Sequence, residues 1–152
     1  MDLDTAILVK LLVREPDSGF YVTLVDGQPA WSSHLIVVEC FSALLRKERE
    51  RAITQTHRRR AARQVTADVA ARRVSLMPVT ADLVERAHAI LEVCHPTVSL
   101  RSLDAIHLAS AERCQSWPLC SNDARVRAAA ILKESSPGTP RLLYCATCPS
   151  CT

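Results

Sequence analysis

The chain opens on an apolar strand with no room to be long. Met1-Asp2-Leu3 reaches Asp4, and Thr5 already begins a helical apolar pattern that runs to about residue 13. Arg14-Glu15-Pro16-Asp17 stops it, and a second short helix is expected over about 17–25. Asp26-Gly27-Gln28-Pro29 reads as a turn and Ala30-Trp31-Ser32 as a short strand. Ser33 is placed to cap a helix running to about Glu50. Its apolar side reads as Leu35, Val38, Phe41 and Leu45, widened by Ile36, Val37 and Leu44. A polar, basic helix from about Ile53 to Arg73 should fold back on it as a hairpin.

From Val74 to Val79 the pattern alternates, so it predicts a strand, and Pro78 puts that strand near a sheet edge. Thr80 caps a helix over about 81–94, with Asp82 in its first turn. After the loop His95-Pro96-Thr97, a helix over about 102–114 carries Leu103, Ile106, Ala109 and Ser110 at helical spacing. Trp117-Pro118 leads into a strand at Leu119-Cys120-Ser121, and Asp123 opens a helix to about Glu134. A loop over 135–140 and a last strand at Arg141-Leu142-Leu143-Tyr144 follow. Strands alternating with helices imply α/β architecture: a mostly parallel sheet in three α/β/α layers.

Composition narrows the class. The 152 residues make one domain, 48% hydrophobic with only three glycines, which favours a helix-rich globular fold over disorder. Residues 1–144 read as that domain and 145–152 as a flexible cysteine-containing tail. No stretch approaches the roughly 18 apolar residues of a membrane span. No signal peptide is expected, because Lys10 interrupts the first apolar run. An odd count of seven cysteines, four of them within apparent core, suits a reducing cytosol better than a disulfide framework. The net charge of +3 is modest, but the basic residues cluster between Arg46 and Arg73. Aromatic residues are 4%, so base stacking is not a visible strategy. Trp31 and Trp117 are expected in the core.

Four acids carry the candidate chemistry. Asp4 ends a strand just before a helix, where open α/β sheets place ligands. Glu39 interrupts Leu35-Ile36-Val37-Val38-Glu39-Cys40-Phe41, and none of its helical neighbours Leu35, Ile36, Ser42 and Ala43 is basic. It must be solvated, protonated or bound to a cation. Asp104 lies in Leu103-Asp104-Ala105-Ile106-His107-Leu108 near a helix start, and Asp123 follows a strand. Each also fits an ordinary role as surface charge, dipole partner or cap. His107 reads as a packed histidine, and Asp2 as a surface residue.

These segments resemble the PIN-domain ribonucleases, especially the toxin half of VapBC toxin–antitoxin pairs. The resemblance spans about residues 1–144. It rests on Leu3-Asp4-Thr5 with Val9-Lys10-Leu11 and Arg14-Glu15-Pro16-Asp17, then on Ser32-Ser33 before Val38-Glu39 and Ser42-Ala43-Leu44. Leu103-Asp104-Ala105-Ile106-His107-Leu108-Ala109 and Ser121-Asn122-Asp123-Ala124-Arg125 complete it. The resemblance implies a PIN fold in which Asp4, Glu39, Asp104 and Asp123 hold Mg²⁺ or Mn²⁺, with Thr5 and Ser121 as polar supports. Ala6 stands where a serine is often seen. The activity implied is an endoribonuclease, neutralised by a small antitoxin laid against the helical hairpin, in a homodimer. The chemistry fits: phosphodiester hydrolysis needs an activated water and a counter-charge for the leaving oxygen, and hard cations held by carboxylates supply both.

Other readings stay open. A PIN-like module that has lost catalysis and only binds RNA or dimerises is the main alternative. A dehalogenase-type phosphatase motif starting at Asp2 fails at Ala6. Cys145, Cys148 and Cys151 have metal-ligand spacing but no adjacent fourth ligand. Arg58, Arg59 and Arg60 are candidates for RNA phosphates, or a solvated helix face.

Overall fold

A strand of only two residues lies inside the sheet. In the computed structural model, which describes residues 1–116 and 118–134, β1 (Asp2–Leu3) pairs with β2 (Ala30–Ser33) on one side and β4 (Leu119–Cys120) on the other. β3 (Val74–Met77) lies outside β2, so the order is β3-β2-β1-β4, parallel throughout. The edge position of β3 agrees with Pro78. Among the described residues, seven helices cover the sheet: α1 (Thr5–Leu12), α2 (Ser18–Val25), α3 (Leu35–Arg49), α4 (Gln55–Ala70), α5 (Ala81–Cys94), α6 (Ser102–Cys114) and α7 (Ala124–Glu134). None is long and apolar enough to cross a membrane. The expected strand over 141–144, the loop before it, the cysteine tail and Trp117 lie outside the described residues.

Strand alternation divides the core in two. Leu3 and Cys120 join Ile7, Leu8, Tyr21, Ile36, Cys40 and Leu44 on one face. Leu119 joins Leu83, Ile90, Ala105, Leu108, Ala109 and Val126 on the other, where alanines let α5 and α6 approach closely. The three layers follow from these two cores. Caps set several boundaries: the Thr54 and Thr80 hydroxyls accept from His57 N–H and Leu83 N–H. Gly27 takes a φ of +68° in the turn before β2, a conformation that favours glycine.

Charged side chains tie the first helices together. Lys10, almost buried, donates to Glu15 at 2.8 Å and Asp17 at 2.6 Å, and Lys47 of α3 also pairs with Glu15. This pairing is what Val9-Lys10-Leu11 and Arg14-Glu15-Pro16-Asp17 do in the fold. On the far side, Glu112 of α6 joins Arg86 of α5 to Lys133 of α7.

Three expectations are corrected. Ser33 does not cap α3; it is the last residue of β2, and the cap residue is His34, without a side-chain cap bond. Trp31 is exposed, although its register partner Asp2 and Ser33 two residues on, which share its face, are buried. The buried side of α3 is Ile36-Cys40-Leu44, while Val37, Val38 and Phe41 are 42%, 62% and 44% exposed. The helix is apolar nearly all round through its first two turns, so its pattern offers two stripes, and docking on the sheet selects the one spaced at four residues. Leu103 of α6 is likewise exposed.

The choice of stripe is testable by urea denaturation of the isolated chain. Leu44→Ala is expected to cost roughly 2–5 kcal/mol. Val38→Ala should stay within about 0.5 kcal/mol of the parent. The reverse order would put the outer stripe in the core.

Candidate active site at the sheet switch point

The topology creates the site before any side chain is considered. From β1 the chain leaves through α1 and α2 to β2 on one side, and it reaches β4 on the other only after α6. The crevice beyond the carboxyl ends of β1 and β4 is therefore a switch point, where open parallel sheets bind ligands. Asp4 follows β1 and Asp123 follows β4. Glu39 lies early in α3, which leaves β2 directly, and Asp104 lies in the first turn of α6. Asp4, Glu39, Asp104 and Asp123 line one cavity of about 610 Å³. Arg46, Arg49 and Arg101 line it too.

Each carboxylate has a different surrounding. Asp4 caps α1, accepting from Ala6 N–H at 3.1 Å through Oδ1 and from the Ser121 hydroxyl through Oδ2. The backbone at Ala6 thus serves Asp4 without a side-chain hydroxyl there. Asp123 accepts from Arg125 N–H at 2.8 Å and pairs with the Arg125 guanidinium at 2.9 Å, which holds its carboxyl below the usual range. Asp104 goes the other way: burial, then the charges of Asp123 and Asp4, push it up, with Arg101 offsetting part. Its Oδ2 is buried without a hydrogen-bond partner among the described residues.

Glu39 has no basic neighbour on its own helix; its partners come from elsewhere. Oε2 accepts from Thr5 Oγ1 at 2.6 Å and from His107 Nε2 at 2.6 Å. Burial alone would raise its pKa, but these two hydrogen bonds and the histidine's charge outweigh it and hold the carboxyl low. Thr5 therefore supports Glu39 rather than Asp4, and Ser121 supports Asp4.

Two residues that sequence reasoning passed over stand behind the cavity. His107 is 4% exposed and bonded to Glu39; burial would lower its pKa, but the bond to Glu39 and the charges of Glu39, Asp4 and Asp2 raise it. Asp2, read as a surface residue, is fully buried. It pairs in register with Leu119 and so shares that residue's face, under α6. Neither of its oxygens has a partner among the described residues. Burial pushes its carboxyl up to about 8, against the lowering pull of His107 and the amino terminus. The available signal was period-two alternation, which puts Asp2 and Asp4 on the same side of the strand.

The hairpin arginines are not at the cavity. Arg58 pairs with Glu48 and lies over the Phe41 ring at 5.9 Å. Arg59 and Arg60 are exposed, and Arg60 lines a separate cavity beside Leu11, Leu12 and Ile53.

The donor set suits a hard divalent cation: carboxylate oxygens from four elements, one of them orphaned in a buried position. As placed, no three His, Cys, Asp or Glu side chains among the described residues stand close enough together to hold an ion between them.

Comparison with known proteins agrees with this geometry. The PIN domain description matches residues 1–132. Ribonuclease VapC46 of Mycobacterium tuberculosis (strain ATCC 25618 / H37Rv) is 35% identical over 131 residues, covering 84% of this chain and 88% of the relative.

Asp2 has a pH signature. Below about pH 4 its carboxyl is protonated in folded and unfolded chains alike. As pH rises toward 8, the unfolded chain releases this proton while the folded chain keeps it, so stability falls, by at most about 1.4 kcal/mol per pH unit. Asp2→Asn lacks this loss. Its stability relative to the parent, measured by urea denaturation between pH 5 and pH 8, should rise steadily with pH; a constant difference would mean Asp2 does not titrate this way.

Proposed function

Because the chain belongs to the PIN-domain family, we propose that it is a metal-dependent endoribonuclease and the toxin half of a toxin–antitoxin pair. The observation that carries this is the meeting of Asp4, Glu39, Asp104 and Asp123, each from a different part of the fold, at one cavity on the switch point. Asp104 sharpens it, since burial and then the neighbouring acids raise its carboxyl and its Oδ2 has no hydrogen-bond partner among the described residues. A bound cation reverses that local balance.

Asp4, Glu39, Asp104 and Asp123 would hold Mg²⁺ or Mn²⁺. When bound, the ion supplies an activated water and a counter-charge for the leaving oxygen. The chain's own residues prepare the ground. Ser121 and the α1 amino end fix Asp4, Thr5 and His107 fix Glu39, and Arg125 holds Asp123 as the anion. Arg46, Arg49 and Arg101 are exposed on the cavity wall and offset the acids where a phosphate backbone must approach. Arg59 and Arg60 extend the positive surface along α4. The ribonuclease name of the similar mycobacterial protein supports RNA as substrate. An antitoxin segment and a second copy of the chain are the proposed protein partners. Exposed Val37 and Val38, beside an apolar cavity of about 500 Å³ between α3 and α4, support a protein contact there.

Thermal melts test the shared site. A divalent ion that binds only the folded chain stabilises it by about 2.7 kcal/mol at a hundredfold excess over Kd. Mg²⁺ or Mn²⁺ should raise the parent's melting temperature. Asp104→Asn, which removes one repelling charge, should be at least as stable without metal, show little metal shift and fail to cleave RNA. If it keeps both the shift and cleavage, the four acids do not act together.

Salt-dependent RNA binding tests the approach. Each of Arg46→Ala, Arg49→Ala and Arg101→Ala should weaken binding and reduce the salt slope by roughly 1. The pair Arg59→Ala and Arg60→Ala should have smaller effects on cleavage. Equal losses from the hairpin pair would move the main RNA track onto α4.

A further inference from the structure

The polar chain that ends on Glu39 begins in the core. Ser33, the last residue of β2, is fully buried and contacts His107 Nδ1 at 3.2 Å. His107 Nε2 meets Glu39 Oε2 at 2.6 Å, and Thr5 Oγ1 reaches the same oxygen at 2.6 Å. A carboxylate only accepts, so Nε2 must carry the proton of that bond. Both donors fall on Oε2, which leaves Oε1 without a hydrogen bond among the described residues, on a side chain that lines the acidic cavity. His107 itself does not line the cavity.

We infer that His107 is a positioning residue: held by Ser33, it fixes the Glu39 carboxylate so that Oε1 is the oxygen offered to a divalent cation. The assignment rests on the proposed metal-binding role of Glu39. Two donors on one oxygen do what neither does alone. A glutamate has three side-chain torsions, and an unrestrained one spends much of its time away from any single geometry. A hydrogen bond at 2.6 Å to a charged acceptor is short and strong, and the buried ring delivering it has little freedom of its own. Second-layer partners of this kind orient metal ligands, and losing one typically weakens metal affinity or activity roughly 10–100-fold.

The two ring nitrogens separate this role from packing. A glutamine at position 107 can place an amide N–H near the Nε2 position, whereas an asparagine reaches only the Nδ1 position, on the Ser33 side. Mn²⁺ binding to the full chain, titrated calorimetrically without RNA, is the measurement. His107→Leu and His107→Asn should raise the Mn²⁺ dissociation constant roughly 10–100-fold. His107→Gln should stay within a few-fold of the parent. In a Glu39→Gln background, His107→Leu should add little further loss, because the ligand it positions is gone. Glutamine no better than asparagine, or an undiminished leucine effect in that background, would overturn the inference. So would failure of both amide variants to fold, which would make His107 a packing residue. A parent that binds no Mn²⁺ and cleaves no RNA would instead sink the nuclease reading itself. A parent that does both, with no contrast between glutamine and asparagine, would sink only the role of His107.

Discussion

Like charges crowded at one cavity are the constraint on which the rest of this structure depends. Asp4, Glu39, Asp104 and Asp123 face a common space, and the fold treats the four unequally. Asp123 has a guanidinium, Glu39 an imidazole and a hydroxyl, and Asp4 a hydroxyl and a helix amino end. Asp104 is left with an orphan oxygen and a raised pKa. Burial first, and then the charges of Asp123 and Asp4, push the Asp104 carboxyl up.

Holding those acids requires a two-residue strand to be firmly held. β1 contributes two residues, yet its backbone is gripped from both sides by β2 and β4. Asp4 N–H donates to Cys120 O, and the Ser32 hydroxyl donates to Leu3 O at 2.8 Å. The polar side chains of β2 are consequently not surface residues. Ser32 fastens β1 and Ser33 fastens α6 through His107, so one dipeptide links the sheet to two of the elements that carry acids.

Much of this was legible in the sequence, for identifiable reasons. α5 and α6 fall on the boundaries that Thr80 and the Ser102–Cys114 pattern predict, because caps and periodicity are local signals. The four acids were visible because each interrupts an apolar run or ends a strand. What was not legible came from tertiary choices. α3 offers two apolar stripes, and only the position of the sheet selects Ile36-Cys40-Leu44. His107 lies three residues after Asp104, which already placed it near the acids, but its partner Glu39 is 68 residues away and no local pattern reaches that far. Asp2 was misplaced because alternation, the signal that sets it on the side of Asp4, is weak over a two-residue strand.

The inverted reading of α3 has a physical consequence. A helix whose inner stripe is Ile36-Cys40-Leu44 must present Val37, Val38 and Phe41 outward, yet the same helix carries Glu39 into the cavity and Arg46 and Arg49 along its wall. The three surfaces differ by rotation about a single axis. Phe41 is partly covered by Arg58, so the hairpin is fastened across the apolar side rather than the acidic one. A partner that buries Val37 and Val38 would therefore grip the helix bearing Glu39 without needing to touch the carboxylate. The exposed stripe and the acidic cavity thus share one helix, with Val37 and Val38 lining a second cavity against α4 and Glu39 lining the acidic one.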